Sequence, residues 1–121
     1  MAEVHVCKHD ELADGAVRIV YFDRHEIAVI RQDGAYYAYR NVCPHQGGPA
    51  CEGIRVPRVI DVVDGEGNFM GQTYDKDDLH IVCPWHGYEF NLKTGEHPGN
   101  RQIRLKKYTV VERGGEVYVA V

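Results

Sequence analysis

Residues 17–51 read VRIVYFDRHEIAVIRQDGAYYAYRNVCPHQGGPAC. Up to Val42 the segment alternates apolar and polar positions and is rich in Val, Ile and Tyr, a strand pattern of period two. DRHE at 23–26 and QDG at 32–34 are turn-forming clusters. The expectation is a meander of three strands, Val17–Phe22, Ile27–Arg31 and Ala35–Val42. At Cys43 the pattern stops, and the chain becomes dense in Cys, Pro, His and Gly. A β-meander therefore delivers a cysteine and a histidine into a loop with demanding backbone conformations.

Working outward, the same chemistry returns once, in CPWHGYEF at 83–90. The C-terminal run LKKYTVVERGGEVYVAV, 105–121, predicts two strands about a Gly114–Gly115 hairpin turn. Cys7 lies in a predicted first strand. No segment keeps a 3.6-residue apolar period, and Glu11–Ala16 has room for no more than a turn of helix. Between the two cysteine loops, RVIDVV, the turn DGEGN and LHIV predict a hairpin or excursion of their own. The fold class expected is all-β.

The chain has 121 residues, 44% of them hydrophobic, which fits one domain with a modest core. The net charge of −4 lacks the basic stripe of a nucleic-acid binder. No apolar run approaches membrane-spanning length, and the start MAEVHVCKHDEL lacks a signal pattern. The expected compartment is cytoplasmic. There thiols stay reduced, so four cysteines indicate metal or redox chemistry before disulfides.

Cys43, His45, Cys83 and His86 form a complete set of four soft and borderline ligands. A structural zinc and an iron–sulfur cluster both use such a set. Spacing separates them. One residue between Cys43 and His45 does not suit two ligands converging on one ion, whereas it suits ligands directed at two irons. Cys43-x-His45 with Cys83-x-x-His86 resembles the Rieske 2Fe–2S signature. NVCPHQGGP and CPWHGYEFNLKTGE resemble the two cluster loops of soluble Rieske ferredoxins, and HPGN at 97–100 resembles the proline loop that shields the cluster. One departure stands out. Between His45 and Cys83 lie 37 residues, 46 to 82, more than the family usually carries. Gly53 to His80 holds three basic and six acidic residues, a character that suits a docking element or a solvated surface hairpin alike.

The resemblance implies an antiparallel sandwich or barrel-like base, residues 1–42 and 100–121. A cluster-binding subdomain, 43–99, is inserted in it, with an extended insertion at about 54–80. It implies one 2Fe–2S cluster, with Cys43 and Cys83 on the buried iron and His45 and His86 on the outer one through Nδ1. Gly47, Gly48 and Gly87 would let backbone N–H groups approach the sulfides, and Pro44 and Pro84 would stiffen the loops. The disulfide positions of high-potential members are occupied by Gly48 and Trp85, and their serine and tyrosine hydroxyl positions by Tyr88 and Phe90. The expected potential is therefore low in the Rieske range, roughly −150 mV. It should fall as alkaline pH strips the outer proton of a ligand imidazole.

Other residues invite a simpler reading. Cys51 is expected to be a free buried thiol and Cys7 a small core residue. His80 fits a surface or packing role, and His97 adjoins the proline loop. Trp85 would cover the cluster, meet a partner or pack beneath its loop. The functional expectation is a one-electron carrier, not itself an enzyme. It would take electrons from an NAD(P)H-dependent flavin reductase and pass them to a terminal oxygenase, by transient docking as a monomer. The alternatives are a bound electron-transfer subunit of a larger oxidoreductase and a zinc-stabilised binding module. An oxygenase catalytic subunit would need a 2-His-1-carboxylate site, and no histidine follows His97, so the chain is expected to be complete as a carrier.

Overall fold

The computed structural model describes residues 2–44, 47–52, 55–84 and 87–121, with the backbone alone at 58–60 and 74–77. Among these residues eleven strands follow in order: β1 Glu3–Lys8, β2 Val17–Phe22, β3 His25–Gln32, β4 Ala35–Arg40, β5 Arg55–Val63, β6 Phe69–Val82, β7 Glu89–Asn91, β8 Glu96–His97, β9 Asn100–Arg104, β10 Lys107–Arg113 and β11 Glu116–Ala120. A single 3₁₀ turn, Ala50–Glu52, is the one helical element among the described residues. Among the described residues no helix is long and apolar enough to cross a membrane.

Six strands form one antiparallel sheet in the order β1-β11-β10-β4-β3-β2. Its two ends, β1 and β2, also touch, so the sheet is nearly closed. β10 makes the corner: Lys107 and Tyr108 pair with β4, while Thr109–Arg113 pair with β11. Closure leaves few free edges to recruit other strands. The predicted meander is present. β3 starts two residues early, at His25, because Asp23 and Arg24 alone make the turn, with φ of 48° and 69°. Asp33–Gly34 and Gly114–Gly115 turn the same way, all four residues at positive φ, the conformation that matches the twist of paired strands.

The centre of the sheet explains the apolar run Ile27–Ile30. All four residues are fully buried, because β3 has a core on each face. Ile27 and Val29 join Val6, Leu12, Ala38, Val117 and Val119. Ala28 and Ile30 face the other way and join Tyr39, Ile81, Phe90, Leu92 and Leu105. That second core also takes in Cys43, Cys51 and Cys83. The meander thus supplies both the floor of the base and the ground under the two cysteine loops.

β5, β6 and β7 form a separate three-stranded sheet, and β8 pairs with β9. The predicted hairpin between the loops is β5–β6, longer than RVIDVV and LHIV indicated, because β5 already begins at Arg55 and β6 at Phe69. The Arg55 guanidinium donates to the carbonyl of Gly15, which ties the root of this hairpin to the base.

Candidate functional site

The first loop leaves β4 and the second leaves β6. Each begins on a cysteine, and each is closed by the same two backbone hydrogen bonds. In the first, Cys43 N donates to Gly48 O at 2.7 Å and Gly47 N donates to Cys43 O at 2.8 Å. In the second, Cys83 N donates to Tyr88 O at 2.8 Å and Gly87 N donates to Cys83 O at 2.9 Å. The cysteine is thus position one of two matching six-residue frames, and a glycine at positive φ is position five of both: Gly47 at 79° and Gly87 at 71°. A side chain at either glycine would be strained by that backbone. In sequence the two loops share a Cys-Pro start and a following histidine at unequal spacing. The hydrogen bonds make the two equivalent, although a histidine stands third in one frame and fourth in the other.

This geometry corrects one expectation. The N–H groups of Gly47 and Gly87 are engaged by the cysteine carbonyls, so these glycines close the loops instead of reaching toward a cluster sulfide. His45, His86 and Trp85, and with them the predicted histidine ligands, lie outside the described residues.

Cys43 and Cys83 are 3% and 2% exposed and share one apolar cluster with Tyr39, Ile81 and Phe90. Such a site excludes water and suits thiolates that bind a soft metal centre. Cys51 lies in the same cluster but is different in kind. It is unpaired and fully buried, and burial pushes its thiol up to about 12. A ligand must give up its proton, and Cys51 is built to keep it. Cys7 is likewise free and buried in the other core, with its thiol raised chiefly by burial. Both match the expectation of inert core thiols.

Asn41 carries a role that the sequence did not disclose. It is 2% exposed, and its Oδ1 accepts from Cys51 N at 2.9 Å while its Nδ2 donates to Glu52 Oε2 at 3.1 Å. Its own N–H donates to Glu26 O, so it is anchored to β3. Asn41 therefore pins the exit of the first loop to its entrance. The signal available was a lone Asn at a strand end, which serves equally as plain turn chemistry. Tyr39 does a comparable job below the second loop, donating its buried hydroxyl to Leu92 O at 2.6 Å.

His80 and His97 fall into place around β7. His80 is 5% exposed, a packing position and not a surface one, with Nδ1 3.3 Å from Glu89 Oε1 and Nε2 3.5 Å from Asp78 Oδ1. His97 sits beside the second loop. Its Nδ1 is 2.9 Å from Glu89 O, and its ring lies 4.4 Å from that of Tyr88, the residue that closes the second frame. Among the described residues no three His, Cys, Asp or Glu side chains converge to hold an ion.

With this geometry in view, comparison with known proteins is specific. A 3-phenylpropionate/cinnamic acid dioxygenase ferredoxin subunit of Photorhabdus laumondii is 29% identical, over all of this chain and 96% of its own. The ferredoxin component of an alkene monooxygenase system of Xanthobacter autotrophicus is 23% identical, over 96% of this chain and 79% of its own. A chain from a solved complex of reduced oxygenase and oxidized ferredoxin in carbazole 1,9a-dioxygenase superposes with a TM-score of 0.70 at 28% identity, over 98% of this chain and 92% of that one. The Rieske [2Fe-2S] domain family matches residues 2–109, from β1 through both loops into the start of β10. The chain therefore belongs to the Rieske [2Fe-2S] domain family and is an electron carrier with one 2Fe–2S cluster, not a catalytic enzyme.

Proposed function

We propose that this chain is the diffusing ferredoxin component of a multicomponent oxygenase, held ready by four ligands: Cys43 and Cys83 for one iron, His45 and His86 for the other. It takes one electron at a time from an NAD(P)H-dependent flavoprotein reductase and hands it to a terminal oxygenase. The observation that carries the reading is the pair of matching cysteine frames over one buried core. The ferredoxin names of the relatives and the oxygenase–ferredoxin complex support the direction of transfer. A cytoplasmic, monomeric protein fits cysteines that form no disulfide among the described residues and a nearly closed sheet. The division into a base, 1–42 and 100–121, and a cluster subdomain, 43–99, follows the same reading.

The bound cluster supplies a one-electron couple. The chain supplies everything else. Cys43 and Cys83 give thiolates from a water-poor core. The doubly closed frames, with Pro44 and Pro84 directly after the cysteines, hold those sulfurs still, which keeps reorganisation during transfer small. The histidines, third and fourth in their frames, offer the outer route for the electron.

The test is reconstitution. Dithionite-reduced protein should give a rhombic EPR signal with an average g below that of all-cysteine clusters. NAD(P)H-driven turnover of the oxygenase should require this chain. A colourless protein with stoichiometric zinc and no acid-labile sulfide would overturn the reading.

A further inference from the structure

The long insertion is not one uniform hairpin. Its root, Arg55–Pro57 paired with Leu79–Ile81, shares a sheet with β7, which pairs with His80–Val82. The register then breaks: Pro57 faces Leu79 but Arg58 faces Asp75, so residues 76–78 stand outside the ladder. Beyond the break, 58–63 and 69–75 form a two-stranded ribbon that no third strand joins among the described residues. Such a ribbon is marginal in water unless something packs on it.

Its tip is nevertheless apolar. Seven large hydrophobic residues are exposed among those described, and four of them are here: Val62 at 39%, Val63 at 59%, Phe69 at 64% and Met70 at 64%. The turn beneath them is firmly built. Asp64 accepts from the N–H groups of Glu66 and Asn68, both at 2.9 Å, and from the Asn68 side chain at 3.2 Å. These donors, the Asn68 N–H first, hold its carboxyl below the ordinary range, so it stays charged. Between residues 59 and 75 the chain carries Asp61, Asp64, Glu66 and Asp75 and no basic residue at all.

We propose that this tip, Val62, Val63, Phe69 and Met70 ringed by Asp61, Asp64 and Glu66, is a docking surface for a redox-partner protein that offers an apolar recess rimmed by lysine and arginine. The proposal rests on the reading of the chain as a diffusing carrier. Charge selects the occupant. A second copy would bring the same carboxylates face to face across a twofold axis, and an anionic bilayer would repel them. A cationic rim around an apolar recess satisfies both features at once, with the charges steering encounter and the side chains of Phe69 and Met70 anchoring it. The preformed turn lowers the ordering cost of that contact. The ribbon also continues through β6 straight into Cys83, so a partner gripping the tip holds the strand that carries the second loop. At about 3.3 Å per residue, Phe69 can stand up to about 40 Å from that loop, far enough to touch a part of the partner well away from the electron-transfer contact.

The experiment uses holo-protein with the flavoprotein reductase and the terminal oxygenase that support turnover with it. Two double variants are compared with the wild type, Phe69→Ser/Met70→Ser and Asp61→Asn/Glu66→Gln. Stopped-flow electron exchange is recorded against carrier concentration and ionic strength. The apolar variant should raise the half-saturating concentration about tenfold or more with one of the two proteins. Its limiting rate, EPR signal and midpoint potential should not move. The charge variant should flatten the ionic-strength dependence with that same protein. Wild-type behaviour of both variants, while the wild type itself exchanges electrons, overturns the docking surface alone. A wild type that exchanges electrons with neither protein overturns the carrier reading and the docking surface together. Concentration-dependent dimers in sedimentation that the apolar variant abolishes would give the tip to a second copy. Co-sedimentation with phosphatidylcholine/phosphatidylglycerol vesicles that it abolishes would give the tip to lipid. Either result would also overturn the proposal.

Discussion

Cys43, Cys51 and Cys83 share one core within a few side chains of each other, and their fates differ because their backbones differ. Cys43 and Cys83 each open a closed loop frame, while Cys51 sits in a 3₁₀ turn with its N–H held by Asn41. Replacement of Cys43 or Cys83 by Ser should abolish acid-labile sulfide and the EPR signal. Cys51→Ala should keep both. Cys51 has a second, pH-dependent signature. Its thiol ionises near the ordinary value in the unfolded chain and near 12 in the folded one. A group raised in the folded state contributes stability that is complete below the unfolded value and is lost as pH rises toward the folded one. Between about pH 9 and 12 the wild type should therefore lose up to about 1.4 kcal/mol per pH unit that Cys51→Ala does not lose. Urea unfolding of the two apo-proteins at several pH values measures the difference. Parallel curves would show that Cys51 is not shielded.

At the scale of elements, loops are held by strands through a few buried polar contacts. Gly95 lies where the β7–β8 turn crosses the Tyr39 ring, and a Cβ there would come 2.7 Å from Tyr39 Cε1 at a φ of 77°. Gly95→Ala should cost roughly 2–5 kcal/mol from strain and overpacking together, read as a drop in the urea midpoint. Tyr39→Phe, which removes only the hydroxyl on Leu92 O, should cost about 1–2 kcal/mol. The ribbon is the opposite case. Replacing 58–75 by a short turn should leave the EPR signal and the thermal midpoint nearly unchanged, since the root rungs and β7 remain. Loss of the cluster would mean that the ribbon supports the second loop. The strands were legible in the sequence because period two and paired turn residues are local signals. Asn41, Tyr39 and the engaged glycine N–H groups were not. Tyr39 matters through Leu92, and no local pattern announces a partner 53 residues away; the glycine N–H groups bond only four residues back, but composition alone does not show which carbonyl they take.

For the whole molecule, what matters is the potential at which the chain gives up its electron. The four proposed ligand positions stood out in the sequence because Cys-x-His with Cys-x-x-His is rare by chance. The surroundings that tune them could be read only by resemblance, through the hydroxyl donors of high-potential relatives. The structure gives those positions physical content. Phe90 is fully buried in the core that holds Cys43 and Cys83, and it has no hydroxyl to donate. Tyr88 turns its ring onto His97, and its backbone carbonyl is taken by Cys83 N. Donors toward a cluster stabilise its more negative, reduced state, so a core with Phe90 in place of a hydroxyl donor holds its electron less tightly. A redox titration should give a midpoint low in the Rieske range, roughly −150 mV. Phe90→Tyr adds one hydroxyl to that core and should raise the midpoint by tens of millivolts. One hydrogen bond gained on reduction, of order 1 kcal/mol, corresponds to about 40 mV in a one-electron couple. A wild-type midpoint that is clearly positive would mean that other donors stabilise the reduced state, and this chain would then be mismatched to a flavoprotein-fed oxygenase.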